Sequence, residues 1–270
     1  MSYVVITESE SRHLRYFASL KGNQGHLTEG LFIAESPKIV EQVLRSSLKI
    51  RTAFLTPEFL IRYQEEFAIR AEVIEVVVAP KARMELIVGY ALHQGLMLTV
   101  EIPTAPSLIE ILKINKHPST IVALDAIADA ENMGTIIRTC AAFGVTAILL
   151  DDQSCNPYLR RSVRVSMGTI VNATLIKVAS LAPELRLAKD SGSMIVGATL
   201  GNGSVALERV NLAGDVVLVF GSEGLGISES VLKICDQLVE IPIESGIDSL
   251  NVGVACGIFL NQIRMLRSAR

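Results

Sequence analysis

The stretch Ser249-Leu250-Asn251-Val252 decides the fold, because it completes an ordered set of three sequence blocks. It follows the apolar Ile241-Pro242-Ile243 and precedes an apolar run with helical spacing. The two upstream blocks are Asn132-Met133-Gly134-Thr135-Ile136-Ile137-Arg138-Thr139 and Phe220-Gly221-Ser222-Glu223-Gly224-Leu225-Gly226. Glycine-rich turns and Ser or Asn helix caps are each common. Three such blocks in this order are hard to obtain by chance, so they indicate a shared role.

Taken together, the three blocks resemble the signature motifs of the SpoU class, also called the TrmH class, of SPOUT RNA methyltransferases. The likeness covers most of the second half of the chain. It implies transfer of a methyl group from S-adenosylmethionine to a ribose 2′-hydroxyl of RNA. It also implies a SPOUT α/β-knot catalytic domain, in which the C-terminal segment forms a deep trefoil knot, and a homodimer assembled through that domain. True knots are almost absent from proteins, so the knot rests on the resemblance alone.

The resemblance also implies roles for individual residues. The catalytic set is Asn132, Arg138, Glu223, Ser249 and Asn251, and the donor-binding set is Gly221, Ile241 and Leu250. In the family pattern Asn-x-Gly-x-x-x-Arg, the Arg assists loss of the 2′-hydroxyl proton. A guanidinium stays protonated in proteins, so we expect Arg138 to orient the substrate phosphate and stabilise the developing alkoxide, with direct base action as the alternative. We expect Glu223 to position Arg138 or the neighbouring loop through a charge-assisted hydrogen bond.

Without the resemblance, each block has a simpler interpretation. Asn132 would be an ordinary helix N-cap and Arg138 a solvated or phosphate-binding residue. The loop Gly221 to Gly226 follows an apolar strand, where open α/β sheets bind ligands, yet it lacks the G-x-G-x-x-G order of a dinucleotide turn. Ser249 and Asn251 would cap the last helix, and a cap that fixes the backbone would also fix a pocket.

The chain departs from the common family pattern at four positions. Ala126 and Ser36 stand where Gly is frequent, Ala130 where Pro is frequent, and Gly253 where Ser often follows the Ser-Leu-Asn-Val run. None of the four removes a side chain that carries the proposed chemistry. They leave the subfamily and the RNA substrate open, not the reaction.

The remaining pattern predicts two α/β domains, at 1–103 and 106–270, and the resemblance implies that the first is a substrate-binding domain and the second a methyltransferase domain. The first alternates short β-rich runs with helices that begin near Pro37, Pro57 and Pro80, after a helical lead-in over residues 1–30. By resemblance it is an L30e-like RNA-recognition module. The second contains near-continuous apolar runs that suit a parallel sheet covered by helices on both faces. Its predicted strands are 120–124, 147–150, 194–198, 216–220 and 238–241, and its helices are 134–143, 159–167, 181–191, 228–235 and 251–267.

Composition gives weaker guidance about partners. With 25 basic and 28 acidic side chains the formal charge is −3, so the strongly basic footprint of many nucleic-acid binders is missing. Phosphate contacts would come from local clusters, of which Arg160, Arg161 and Arg164 are the densest in the second half, and a solvated helix face is the equal alternative. The four cysteines show no metal-binding spacing, and the chemistry requires no metal. We expect a cytoplasmic protein with reduced thiols and no membrane segment.

Two rivals and one ambiguity remain at this point. A Rossmann-type oxidoreductase is disfavoured because the first-turn glycine fingerprint is missing. A non-catalytic RNA-binding or assembly protein on the same fold would be expected to lose Arg138, Glu223 or Asn251, and all three are present. The extra N-terminal module favours ribosomal RNA over tRNA. The last helix is apolar over more of its circumference than one buried stripe requires, which favours the homodimer.

Overall fold

The structure, a computed structural model, describes residues 3–18, 20, 24–114, 118–201, 203–244, 246 and 249–268. The chain forms two compact units. The first contains Met1–Pro103 together with Tyr158–Asn172, and the second contains Thr104–Pro157 together with Ala173–Arg270. The segment Tyr158–Asn172 therefore does not group with the rest of the predicted domain 106–270. No helix in the described ranges is both long and apolar enough to cross a membrane.

The first unit is a mixed five-stranded sheet with helices. Its strands are β1 (Tyr3–Ile6), β2 (Leu31–Glu35), β3 (Ile50–Leu55), β4 (Ile74–Val78) and β5 (Leu96–Glu101). Its helices are the one-turn α1 (Gly25–Thr28), α2 (Pro37–Arg45), α3 (Pro57–Ala68) and α4 (Lys81–Val88), with α7 (Arg160–Val165) from the later segment. The strand order is β1-β4-β3-β5-β2. The strands β1, β4 and β3 run parallel, and β5 is antiparallel to both β3 and β2.

The three helices predicted to begin near Pro37, Pro57 and Pro80 begin within one residue of these prolines. Pro37 and Pro57 occupy the first turn of α2 and α3, where a missing backbone N–H costs nothing. The predicted helical lead-in over residues 1–30 is wrong, because it contains β1, which pairs with β4, followed by 3₁₀ turns. Tyr3-Val4-Val5-Ile6 is a run of aromatic and β-branched residues that suits an edge strand.

Contacts from within the first unit hold the segment Tyr158–Asn172. The rings of Tyr158 and Phe32 lie 5.2 Å apart, and the Gln42 side-chain amide donates to the Met167 carbonyl oxygen at 3.3 Å. A cut near residue 104 would separate this segment from the residues it packs on.

The second unit is a seven-stranded sheet whose strands all run parallel. The strands are β6 (Thr120–Asp125), β7 (Ala147–Leu150), β8 (Leu175–Lys177), β9 (Met194–Ala198), β10 (Val205–Ala206), β11 (Val216–Gly221) and β12 (Gln237–Glu240). The helices are α5 (Leu108–Ile114), α6 (Ala130–Ala142), α8 (Leu181–Asp190), the one-turn α9 (Glu229–Leu232) and α10 (Val252–Ser268). The order is β10-β12-β9-β11-β6-β7-β8. The predicted α/β class with a mainly parallel sheet is confirmed.

Differences from the predicted elements of the second unit are local. The short strands β8 and β10 were missed, because three and two residues carry no readable alternation. Helix α6 begins at Ala130 rather than Gly134, because the Asp129 side chain accepts hydrogen bonds from the backbone N–H groups of Glu131 and Asn132. Asn132 therefore lies inside the first turn of α6 and is not its cap. The C-terminal knot stays a prediction of the resemblance.

Two of the four departures from the family pattern fall at backbone positions that favour glycine. Ser36 has φ +89° and ψ 147°, just before α2, and Ala126 has φ +58°, just after β6. A residue with a Cβ is strained in these regions, and the region of Ser36 is almost exclusive to glycine. The chain therefore keeps a glycine conformation at both positions without the glycine.

Replacing Ser36 by Gly should stabilise the protein by about 1 kcal/mol. Relief of about 1–3 kcal/mol of backbone strain exceeds the roughly 0.4–1 kcal/mol lost because glycine makes the unfolded chain freer. Ser36→Ala is the matched control, since it removes the hydroxyl and keeps the strain. Urea unfolding of the three proteins measures the difference. A Ser36→Gly protein no more stable than Ser36→Ala would contradict the strain argument.

Candidate active site

A cavity of about 190 Å³ lies at the carboxyl ends of β9, β11 and β12. Strand β11 is inserted between β6 and β9, both of which precede it in the chain. Loops leaving neighbouring strands in opposite directions open a crevice at such a point. The residues that line the cavity are Ala198, Thr199, Leu200, Phe220, Gly221, Ser222, Glu223, Gly226, Val239, Glu240, Ile241, Ile243, Ser249, Leu250, Val252, Ala255 and Phe259. All three predicted donor-binding residues are among them.

Three predicted catalytic residues form one hydrogen-bonded cluster at this cavity. The Asn132 side-chain amide donates to the Glu223 carboxylate at 3.0 Å. The Asn251 amide donates to the same carboxylate oxygen at 3.2 Å and to the Asn132 carbonyl oxygen at 2.8 Å. The first turn of α6, the loop after β11 and the start of α10 are thereby joined by side chains. The three sequence blocks therefore meet in one place.

Asn251 also caps helix α10. Its side-chain oxygen accepts hydrogen bonds from the backbone N–H groups of Gly253 at 2.9 Å and Val254 at 3.4 Å. The neighbouring Ser249 and Leu250 line the cavity. The capping and pocket interpretations of this segment thus hold together, because the cap fixes the backbone that forms the cavity wall.

Two buried aspartates hold the loops that carry the cluster. Asp125, at the end of β6, accepts from the Ser228 backbone N–H at 2.7 Å and so anchors the far end of the Glu223 loop. Asp151, just after β7, accepts from the Ala126 N–H with both oxygens at 3.1 Å. Ser154 adds a bond from the Ile127 N–H at 2.9 Å. These bonds fix the turn between β6 and α6, which sets the position of Asn132.

Helices α6 and α10 approach closely beside the cluster. A Cβ atom added at Gly253 would lie 2.7 Å from the Thr135 methyl carbon, whereas one at Gly257 would lie 3.6 Å from the Thr139 methyl carbon. The first distance is a clash and the second an ordinary contact. The departure from the family pattern at Gly253 is therefore explained by Thr135, which occupies the space that a larger residue would need.

Arg138 lies outside this cluster. It is exposed on α6, and within the described part of the chain it makes no hydrogen bond or ion pair. Glu223 binds two side-chain amides and does not contact Arg138. Within one chain Glu223 therefore contacts Asn132 and Asn251 and not Arg138, and its role in positioning the neighbouring loop stays a prediction. The carboxylate is shared by two amides that the sequence did not place together.

The predicted RNA-binding arginines belong to the first unit, on α7. The Arg160 guanidinium lies 4.3 Å from the centre of the Tyr90 ring and 3.6 Å from the Glu35 carboxylate. It is therefore already engaged inside the unit, with 27% of its side chain exposed. Arg161 and Arg164 are exposed. A role in RNA binding stays a prediction for all three, and Arg160 has a structural role in addition.

The cavity wall is apolar and acidic. Glu223 and Glu240 contribute carboxylates, and no Lys, Arg or His belongs to the described lining. Such a wall suits a ligand that combines an apolar ring with a positive charge. Thr199, Leu200 and Glu240 were missed from the sequence, because only the strand order places β9 and β12 beside β11. Among the described residues no cluster of three or more His, Cys, Asp or Glu side chains could hold a metal ion.

The fold and this cluster define the class of protein. The model of the SpoU rRNA Methylase family matches residues 119–261, which include all three sequence blocks and more than half of the chain. The chain belongs to this family.

Individual relatives narrow the comparison. A protein from Mycolicibacterium vanbaalenii named as an uncharacterized tRNA/rRNA methyltransferase is 32% identical over 73% of this chain, and the match spans 63% of that relative. The 23S rRNA (guanosine-2′-O-)-methyltransferase RlmB of Coxiella burnetii is 32% identical over 66% of this chain and 72% of its own length. A solved structure of an S-adenosylmethionine-bound rRNA methyltransferase from Sinorhizobium meliloti superposes with a TM-score of 0.82 at 25% identity and covers 98% of both chains.

Gly253→Ala should destabilise the protein by about 1–3 kcal/mol, because the new methyl group overpacks the contact with Thr135. Adding Thr135→Ser removes the opposing methyl and should restore most of the loss. Gly257→Ala is the control, since its Cβ has room and alanine favours a helix by up to about 1 kcal/mol. Urea unfolding of the wild-type protein, Gly253→Ala, the double variant and Gly257→Ala measures these differences in stability. Equal costs at the two glycines, or no rescue by Thr135→Ser, would refute the close approach.

Proposed function

We propose that the protein transfers a methyl group from S-adenosylmethionine to a ribose 2′-hydroxyl of RNA, with ribosomal RNA as the substrate rather than tRNA. The observation that carries the proposal is the Asn132–Glu223–Asn251 cluster beside an apolar, acidic cavity at the edge of a parallel sheet. Family membership supports the reaction class. The name of the Coxiella relative supports ribosomal RNA, while the mycobacterial names leave tRNA as the alternative. We expect the protein to act in the cytoplasm.

The cavity fits the donor chemically. Ile241 and Leu250 offer apolar side chains for the adenine, and the adjacent main chain can read the edge of the base. The carboxylates of Glu223 and Glu240 favour the positive charge that a sulfonium carries. When bound, S-adenosylmethionine supplies an electrophilic methyl group. The chain then needs only to hold donor and acceptor in line. Such positioning removes a large part of the activation barrier in reactions of this kind.

The cluster is the positioning device for that alignment. Glu223 satisfies two amides at once, so neither Asn132 nor Asn251 can rotate without losing a charge-assisted hydrogen bond. Asn251 is fixed a second time by its cap on α10. Such preorganised groups cost no reorganisation when the substrate reacts. Arg138 supplies the positive charge for the acceptor phosphate and the developing alkoxide.

Arg138 reaches an acceptor through a second copy of the chain in this proposal. Three apolar side chains on α10 are exposed: Val254 at 52%, Ile258 at 38% and Met265 at 62%. Their spacing puts them on one face of the helix. Since α10 packs on α6 through Gly253 and Gly257, Arg138 belongs to the same two-helix layer. A closed two-fold dimer would cover the apolar face and bring Arg138 to the partner's cavity.

The first unit is the RNA-recognition module in this proposal. Its fold is separate from the unit that carries the donor cavity, and exposed arginines on α7 offer phosphate contacts. The L30e-like relationship and the C-terminal knot are further parts of the proposal that the family resemblance supplies.

Arg138→Ala should lower methyl transfer by about 100-fold or more, because one group that stabilises developing negative charge is lost. Donor affinity should stay within about twofold, since Arg138 does not line the cavity. Arg186→Ala, which removes an exposed arginine from α8, is the matched control. Tritium transfer to rRNA from a deletion strain measures activity, resistance to alkaline hydrolysis identifies the ribose methyl, and calorimetry gives donor affinity. No transfer to rRNA or tRNA by the wild-type protein would favour the non-catalytic alternative.

Two inactive variants should complement each other if the sites are shared. Gly221→Ala damages its own cavity, because the added Cβ would lie 2.1 Å from the Gly226 backbone. In a mixed dimer of one Gly221→Ala chain and one Arg138→Ala chain, one intact cavity lies beside one intact Arg138. Random pairing should therefore restore about one quarter of wild-type activity. Co-expression of the two chains tests this, with each variant alone as the baseline. Activity no higher than the baseline would reject a shared site.

A further inference from the structure

A second cavity, of about 360 Å³, lies within the first unit and has no place in the donor chemistry. It opens where β2 and β3 begin and β5 ends, which is one end of the sheet because β5 is antiparallel to both neighbours. Its volume falls in the range of roughly 300–1,000 Å³ typical of small-ligand sites. Unlike the donor cavity, its wall is mostly polar, with side chains from His13, Tyr16, Glu29, Arg51 and Glu101.

The polar groups on this wall combine one acceptor and one donor side by side. Arg51 and Glu101 form an ion pair at 2.5 Å between one guanidinium nitrogen and one carboxylate oxygen. The second oxygen of Glu101 takes no hydrogen bond from any described residue, and the rest of the Arg51 guanidinium is equally unengaged. A ligand can therefore donate to Glu101 and accept from Arg51 without breaking their ion pair.

Two aromatic rings also line the cavity. The rings of His13 and Tyr16 stack with 5.9 Å between centroids and 13° between planes. The Tyr16 hydroxyl donates to the Glu29 carboxylate, which lowers the pKa of Glu29 and keeps it ionised at neutral pH. The ring of Tyr16 is thus held in place by its own hydroxyl. The His13 ring nitrogen is paired with the Glu75 carboxylate, and the Arg15 guanidinium lies 4.9 Å from the centre of the Tyr16 ring, so both rings are held in place. Aromatic rings beside hydrogen-bonding groups suit a planar ligand.

We propose that this cavity binds an unpaired guanine of the RNA substrate, an inference that rests on the proposed function for the identity of the RNA. Guanine presents two adjacent N–H donors, at N1 and N2, that a carboxylate accepts together, and its O6 lies next to them as an acceptor for a guanidinium. Adenine lacks the N1 proton and O6, and pyrimidines fill less of the space. Unpaired bases of this kind are what proteins read in RNA. Glu101 and Arg51 are therefore the groups that choose the base.

Binding to short unpaired RNA tests the site in the full-length protein without any methyl donor. The probes are fluorescent uridine oligonucleotides that carry one central guanosine, inosine, adenosine or uridine. Fluorescence anisotropy should show guanosine bound about tenfold more tightly than adenosine or uridine. Inosine, which lacks the N2 amine, should fall between guanosine and adenosine.

Variants assign the preference to the cavity. Glu101→Gln should remove the preference for guanosine and leave affinity for the all-uridine probe unchanged, because the amide loses the charge and the second acceptor oxygen that the N1 and N2 donors of guanine need. Arg51→Lys should reduce the preference, since an ammonium keeps the charge but not the planar fork. Glu65→Gln, an exposed change on α3 with the same effect on net charge, is the control and should keep the preference. An unchanged far-ultraviolet circular dichroism spectrum and cooperative urea unfolding verify that each variant is folded.

Equal affinity for all four probes, or no binding, would overturn the inference, as would a guanosine preference that survives both Glu101→Gln and Arg51→Lys. The proposed function fails by a different result, namely no methyl transfer to any RNA. If the protein prefers guanosine but transfers no methyl group, the guanine site stands and the proposed methyltransferase function is rejected.

Discussion

The hydrogen bonds of the Asn251 side chain are the interaction on which the site of the second unit depends. This side chain caps α10 through its oxygen and binds both Asn132 and Glu223 through its nitrogen. One amide thereby satisfies helix-end N–H groups that would otherwise lack partners and ties together segments that are distant in sequence. The wall of the cavity beside β11 follows from these hydrogen bonds, because Ser249 and Leu250 precede the cap directly.

Buried carboxylates hold in place the loops that present the partners of Asn251. Asp125 and Asp151 each accept backbone N–H groups from the loops that present Glu223 and Asn132. A buried carboxylate is stable only while its hydrogen bonds persist, so these loops are held in single conformations. Ala126 keeps its positive φ under the same restraint, since its N–H is the one that Asp151 binds. The strain at Ala126 and the position of its loop thus both result from the hydrogen bonds to Asp151.

In the first unit, packing involves a segment that is distant in the sequence. The segment Tyr158–Asn172 comes from the early part of the second half of the sequence, yet its Tyr158 ring and Arg160 guanidinium pack on Phe32 and Tyr90. The aromatic ring and the carboxylate balance part of the Arg160 charge away from water, while its Nη1 atom is buried without a hydrogen-bond partner. The arginine cluster that the sequence offered for RNA is therefore divided, with Arg160 turned inward and Arg161 and Arg164 exposed.

The sequence by itself determined most of the elements, the parallel sheet of the second unit and, through the family resemblance, the membership of the three blocks in one site. The elements are written in local signals, namely apolar runs for buried strands and prolines at helix starts, whereas the joining of the three blocks in one site followed from their resemblance to the family motifs. Only the tertiary structure placed Thr199, Leu200 and Glu240 at the cavity, moved Tyr158–Asn172 to the first unit and left Arg138 apart from Glu223. The physical reason is that strand order and packing are set by contacts between distant residues, and no local pattern along the chain records which distant surfaces will meet.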